Sequence, residues 1–159
     1  MKKCILLLLL FAASVLISCS TGKEKVQKSL VVRDTDVNVL AKAIDLSLDD
    51  LSGKDLSGMD LRGADFENKN LYRADLSGSD LSNANMKNAN LESASLERAN
   101  LTNANLTGAN LKNANFKRAN LTGVKMNGAN MSGTDLSGAR MVLSAINKSN
   151  CSGATFRGA

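Results

Sequence analysis

From Leu46 to Phe156 every fifth residue is apolar, through 23 consecutive registers without one insertion. Leu91, Leu96, Leu101, Leu106 and Leu111 are typical centres, with Met, Phe, Ile and, at 151, Cys standing in elsewhere. Two residues before each centre a small residue dominates, and it is alanine in every unit from Ala84 to Ala119. Asp or Asn sits between the two, as in Ala104-Asn105-Leu106. This period fits neither the 3.6 of a helix nor the 2 of a plain strand. Within a unit, however, an extended backbone turns the small and the large residue to the same side. The other side chains then face water while the chain rounds a corner. Glycine marks that corner: all glycines but Gly22 fall two residues after a centre. The third position of a type II turn, with its positive φ, has this requirement. Each unit is expected to be a short extended side and a corner.

This unit resembles the A(D/N)LXX motif of the pentapeptide-repeat family, over residues 44–158. The resemblance implies an all-β fold, a right-handed quadrilateral β-solenoid with four units in each coil. Residues 44–159 would then make about 5.7 coils, with an axis on the order of 27 Å at one strand spacing per coil. The charges support a 20-residue coil independently. Glu67/Lys87, Glu92/Lys112 and Glu97/Lys117 are each 20 apart, and Asn70, Asn90, Asn110, Asn130 and Asn150 form a column suited to an amide ladder. Exposed pairs of this kind contribute only ~0.2–1 kcal/mol each, so they report register more than stability. The stacked centres contribute roughly 1.5–3 kcal/mol each before chain entropy offsets most of it.

Residues 1–18 read as an export signal. Lys2 and Lys3 precede an apolar stretch from Cys4 to Ile17, which is short of the ~20 residues needed to span a bilayer. Leu16-Ile17-Ser18-Cys19 resembles the bacterial lipoprotein cleavage box. The resemblance implies that Cys19 is lipidated and becomes the first mature residue, which places the chain in the cell envelope. Ser20, rather than Asp, is compatible with the outer membrane if the host is Gram-negative. An ordinary cleaved signal and an uncleaved anchor are the alternatives. Removing the signal leaves 18 basic against 15 acidic residues. Residues 19–33 read as a flexible tether. Residues 34–43 read as a cap, either a short helix bearing Val37, Leu40, Ala41 and Ile44 on one face or an extended lead-in.

Composition removes whole classes of chemistry. With His 0, no Ser-His-Asp or Cys-His arrangement and no histidine metal site exists. Cysteines at 4, 19 and 151 form no CxxC pair, and export plus lipidation would leave Cys151 alone, as a small core filler at a centre slot. Tyr72 is the only tyrosine and falls in an outward slot, so no aromatic platform for nucleic acid arises. Asp45/Asp65, Asp55/Asp75 and Asp60/Asp80 should stack, either as a hard-cation site or as a solvated surface bonded to turn amides. Residues 44–80 carry nine acids against four bases, while 81–159 carry three against nine. A basic half of this kind suits anionic lipid, polysaccharide or an acidic partner, unless it is compositional drift.

The last coil departs from the pattern, since Val142 and Leu143 are apolar in outward slots. An uncapped coil exposes strand edges and a section of core. Val142, Leu143, Ile146 and Phe156 therefore mark an end that a homodimer would cover, as in some family members, or that frays in a monomer. The functional expectation is a non-enzymatic, lipid-anchored envelope protein, without cofactor, metal or nucleic-acid partner. It would present a rigid surface to an envelope protein or polymer. A DNA-mimicking topoisomerase modulator is the alternative. It needs an acidic rod in the cytoplasm, whereas 44–159 holds 13 bases and 12 acids.

Overall fold

The computed structural model describes residues 46–159. The expected signal, Cys19, the tether, the cap and the first two residues of the 44–159 solenoid lie outside the described residues. Among the described residues eighteen parallel bridges run from Asp50↔Asn70 to Asp135↔Thr155, every one joining residues 20 apart. Four units therefore return the chain to the same side, one layer further on. Each side pairs through a single bridge residue, because a corner follows at once. The extended segments are shorter than an ordinary strand.

The backbone bonds explain the repeat slot by slot. In the unit around Leu91, Leu91 N–H donates to Asn110 O at 2.8 Å and Ser93 N–H to Lys112 O at 2.9 Å, both on the following coil. Ser95 N–H donates back to Ala74 O at 3.0 Å, and Ala94 N–H closes the turn on Leu91 O at 3.0 Å. One donor remains, the N–H of Glu92, and the Asn90 side chain accepts it at 3.3 Å. Asp or Asn is favoured before a centre because its short side chain reaches the N–H two residues on, although Ser95, Lys125, Arg140, Ala145 and Thr155 take that slot in five units. With every N–H of such a unit in use, proline there would remove a bond, in keeping with the lack of proline in 46–159.

The corner holds a positive φ at every unit from Gly53 to Gly158, between 55° and 70°. Glycine occupies half of these slots. Asn68, Asn83, Asn88, Asn103 and Asn113 fill five more, as expected of the residue that best tolerates the left-handed region. Arg73, Ser93, Arg98, Arg118, Leu143 and Lys148 fill the rest, at a cost of about 1–2 kcal/mol each where a Cβ crowds the next carbonyl. In the coils before the last, this slot also donates a ladder bond, as at Arg118 N–H to Ser137 O (3.0 Å).

Inside, the centres from Leu51 to Leu136 are buried, with the alanines of the small slot between them. Small residues are required because four walls converge on a narrow interior. Ser79 and Thr134 share that slot, and their hydroxyls donate to Leu76 O (2.7 Å) and Leu111 O (2.8 Å), so burial leaves neither unsatisfied. Near the start of the described coils Lys69 takes the small slot and extends its Nζ to Leu48 O (2.9 Å) and Ser47 O (3.2 Å). The last coil differs from the rest. Met141 and Cys151 are half-buried, and Ile146 and Phe156 are each 39% exposed. Cys151 packs against the core without being enclosed by it, because its layer has core on one side.

Candidate interaction surfaces

The buried side chains are hydrocarbon, thioether or satisfied hydroxyls, so any chemistry belongs to the outward slots. Along one side, Asn70 donates its amide to Asp50 Oδ1 at 3.0 Å, Asn90 to Asn70 at 3.0 Å, and Asn110 to Asn90 at 3.1 Å. Asn130 and Asn150 continue the ladder at 3.2 and 3.3 Å. The expected amide column is present along its full length. Lys87 pairs with Glu67 at 3.2 Å and Lys112 with Glu92 at 3.5 Å, as the 20-residue spacing predicts. The third expected pair does not form. Lys117 turns to Asp135 on the following coil, at 3.2 Å, while Glu97 accepts from Asn115 (3.4 Å) and lies 3.9 Å from Arg98.

The aspartate columns also stack, with Asp55↔Asp75 and Asp60↔Asp80 bridged. Each carboxylate is engaged by its own turn. Ser57 donates N–H and hydroxyl to Asp55 at 3.0 and 2.6 Å, Ser77 N–H binds Asp75 at 2.9 Å, and Ser82 N–H binds Asp80 at 3.0 Å. Arg62 grips Asp60 with two nitrogens, at 2.7 and 2.6 Å. Among the described residues no group of three metal-ligating side chains gathers. Asp45, the first member of one column, lies outside them. The same turn chemistry sets the acidities. Bonds from Ser137, and then Lys117, lower the Asp135 carboxyl to about 2. Asn85, and then Lys87, hold Glu67 below its ordinary range. Tyr72 is half-buried, with the Arg73 guanidinium 5.1 Å from its ring centroid, a cation–π contact at one corner.

At the C-terminal end Val142 is 49% and Leu143 86% exposed, beside the partly exposed Ile146 and Phe156. The structure thus brings all the candidate end residues together on one coil.

These features agree with a family model described as pentapeptide repeats, which matches in eight copies over 50–78, 70–108, 99–138 and 126–159. The chain belongs to the pentapeptide-repeat family. Solved pentapeptide-repeat proteins are right-handed quadrilateral β-helices, and this one is built on the same plan. It is similar to a pentapeptide-repeat protein (Rfr23) from the cyanobacterium Cyanothece 51142, at 28% identity and TM-score 0.50 over 75% of this chain and 97% of that one. It is also similar to HetL of Nostoc sp. strain PCC 7120, a pentapeptide-repeat protein involved in heterocyst differentiation regulation. That likeness is 27% identity and TM-score 0.31, over 66% of this chain and 65% of that one. QnrB1, a plasmid-mediated fluoroquinolone resistance protein, matches at 21% identity and TM-score 0.37, over 69% of this chain and 78% of that one. Among curated proteins, none matches.

Within the pentapeptide-repeat frame, the residues that sequence reasoning passed over are the non-glycine corners. Arg98, Arg118 and Lys148 sit where glycine is free of strain, as does Leu143, which the sequence marked only as apolar. Their position two after a centre was readable in the sequence, and it marks them as long side chains projected from strained backbone.

Proposed function

We propose that this pentapeptide-repeat protein is a non-enzymatic envelope protein, anchored by lipid at Cys19 and presenting its solenoid as a rigid binding surface to a protein or envelope polymer. The observation that carries the reading is the pinning of its outward rows. Side chains along a face are bonded to their equivalents one coil away, from Asp50 through Asn150 in the amide column. Such a face loses little side-chain entropy when a partner settles on it. Anchoring is supported by the Leu16-Ile17-Ser18-Cys19 box and the charged, apolar segment before it. Two or more acyl chains would make the attachment stable.

Labelled palmitate fed to producing cells should appear in the wild type and disappear in Cys19→Ala. Photo-cross-linkers placed at outward slots should trap an envelope partner in intact cells. Label absent from the wild type removes the anchor, and cross-linking that traps nothing at any face removes the binding role. A homodimer through Val142, Leu143, Ile146 and Phe156 is a second reading, favoured by their exposure. The DNA-mimicking alternative is opposed by the basic C-terminal half, which would repel a site built for DNA.

A further inference from the structure

Five cations from residue 118 onward, Arg118, Lys125, Arg140, Lys148 and Arg157, are exposed and form no ion pair among the described residues. The three acids of residues 81–159 are already engaged, Glu92 by Lys112, Glu97 by Arg98 and Asp135 by Lys117. No Asp or Glu follows Asp135 in the sequence. No two of the five are 20 apart, so none stacks on its equivalent in the adjacent coil. They flank the centres Phe116, Met126, Met141, Ile146 and Phe156, which belong to three of the four sides. Arg140, Lys148 and Arg157 flank centres on three different sides of the last described coil, so positive charge rings that coil. A linear polyanion lying along a face would call for a column. A ring around an end fits a flat anionic surface met end-on.

One apolar corner of the same coil matches that geometry. Val142 and Leu143 are exposed there, and Leu143 is held outward at φ 59° from a corner that disfavours any Cβ. The edge of the last described coil is also short of acceptors. An interior unit sends two ladder N–H groups forward, as Leu136 to Thr155 O and Gly138 to Arg157 O, and receives one, as Thr155 to Thr134 O. The last coil thus presents two donors, such as Met141 and Leu143 N–H, for each waiting carbonyl, and among the described residues these donors have no partner. Two copies meeting by this end would leave donors in excess of acceptors and bring cations close to cations. Phosphate and ester oxygens accept without donating.

We propose that the C-terminal end of the solenoid docks end-on against an anionic phospholipid surface, with Leu143 and Val142 at the headgroup boundary and Arg140, Lys148 and Arg157 on the phosphates. This deepens the envelope reading but does not require lipid at Cys19. The test is hydrogen exchange on the full chain bound to vesicles of phosphatidylcholine, alone or mixed with phosphatidylglycerol. Binding to neutral vesicles reports the N-terminal attachment. Slowed exchange in 141–158 reports the docked end. The amides of 141–158 should slow about tenfold or more on the mixed vesicles only, and high salt should abolish the slowing. Lys148→Glu and Arg157→Glu should each weaken the effect by about fivefold, and Leu143→Asp should remove it. All three positions are exposed, so folding is not at stake. Equal exchange on both vesicle types overturns the proposal even where the chain is anchored. Protection that needs no vesicles and grows with protein concentration overturns it in favour of a second copy.

Discussion

Asn110 donates its side-chain amide to Asn90 Oδ1 at 3.1 Å, onto an oxygen that already holds the N–H of Glu92 at 3.3 Å. Its own oxygen takes the Lys112 N–H at 3.3 Å and the Asn130 amide at 3.2 Å, so one residue serves a turn and a ladder at once. Asn110→Ala should cost about 1–3 kcal/mol in urea unfolding, through lost bonds and an unsatisfied Lys112 N–H. Asn110→Asp keeps the turn bond but sets a carboxylate against Asn90 Oδ1 and Glu92 Oε2. It should be the less stable of the two at neutral pH and recover as acid protonates it. Equal melting of both variants at every pH would show that the ladder carries no weight.

Core and surface should separate widely. Leu91 and Leu111 are fully buried in successive layers, and Leu111→Ala should cost about 2–5 kcal/mol by cavity formation. Leu91→Asp should abolish cooperative unfolding, because no partner waits for a buried carboxylate. Lys112→Ala, which removes an exposed pair to Glu92, should stay within about 1 kcal/mol of wild type. Thermal melts by circular dichroism order the three variants.

Glycine corners divide into two kinds. A Cβ at Gly63 meets nothing, so Gly63→Ala should cost only the strain of its φ of 65°, about 1–2 kcal/mol. At Gly133 the added carbon falls on Asn113 Oδ1, and Gly133→Ala should lose more. Conversely, Arg118→Gly should raise stability by up to about 1 kcal/mol. Chemical denaturation of the three variants checks the order.

Acid sensitivity should be traceable to one carboxylate. Asp135 is held at about 2 by Ser137 and Lys117, against an ordinary 3.8. A carboxyl with a depressed folded pKa contributes stability above its unfolded value and loses it as pH falls through the folded one. The unfolding midpoint should thus decline between about pH 4 and pH 2, and Asp135→Asn should flatten that part of the curve. An unchanged slope in the variant would remove Asp135 from the account.

The architecture was legible because each repeat slot plays a single physical role. Leu91 fills, Ala89 gives room, Asn90 caps a turn N–H, and glycine turns the corner. Glu67/Lys87 and Glu92/Lys112 were legible for the same reason, since a period of 20 sets them one layer apart. The expected Glu97/Lys117 pair fails for a reason the sequence also contains. Lys87 and Lys112 face neutral Asn105 and Asn130 on the following coil, whereas Lys117 faces Asp135 and turns that way. Positive φ at Arg98, Arg118 and Leu143 could not be read from residue type, because the corner of the repeat imposes it on whatever side chain occupies the slot. The end of the solenoid was legible as apolar, but its ring of unpaired cations emerged only once the acids of that half were assigned.

A backbone in which every amide answers to a residue one circuit away has a further consequence. Removing one whole circuit, such as 91–110, joins like to like and should leave a shorter tube with its rows intact. Removing a single unit rotates everything downstream by a quarter turn, setting lysines over asparagines and breaking each row at the joint. The length of this molecule is quantised, and kinship among tubes of different reach should be sought in steps of 20 residues.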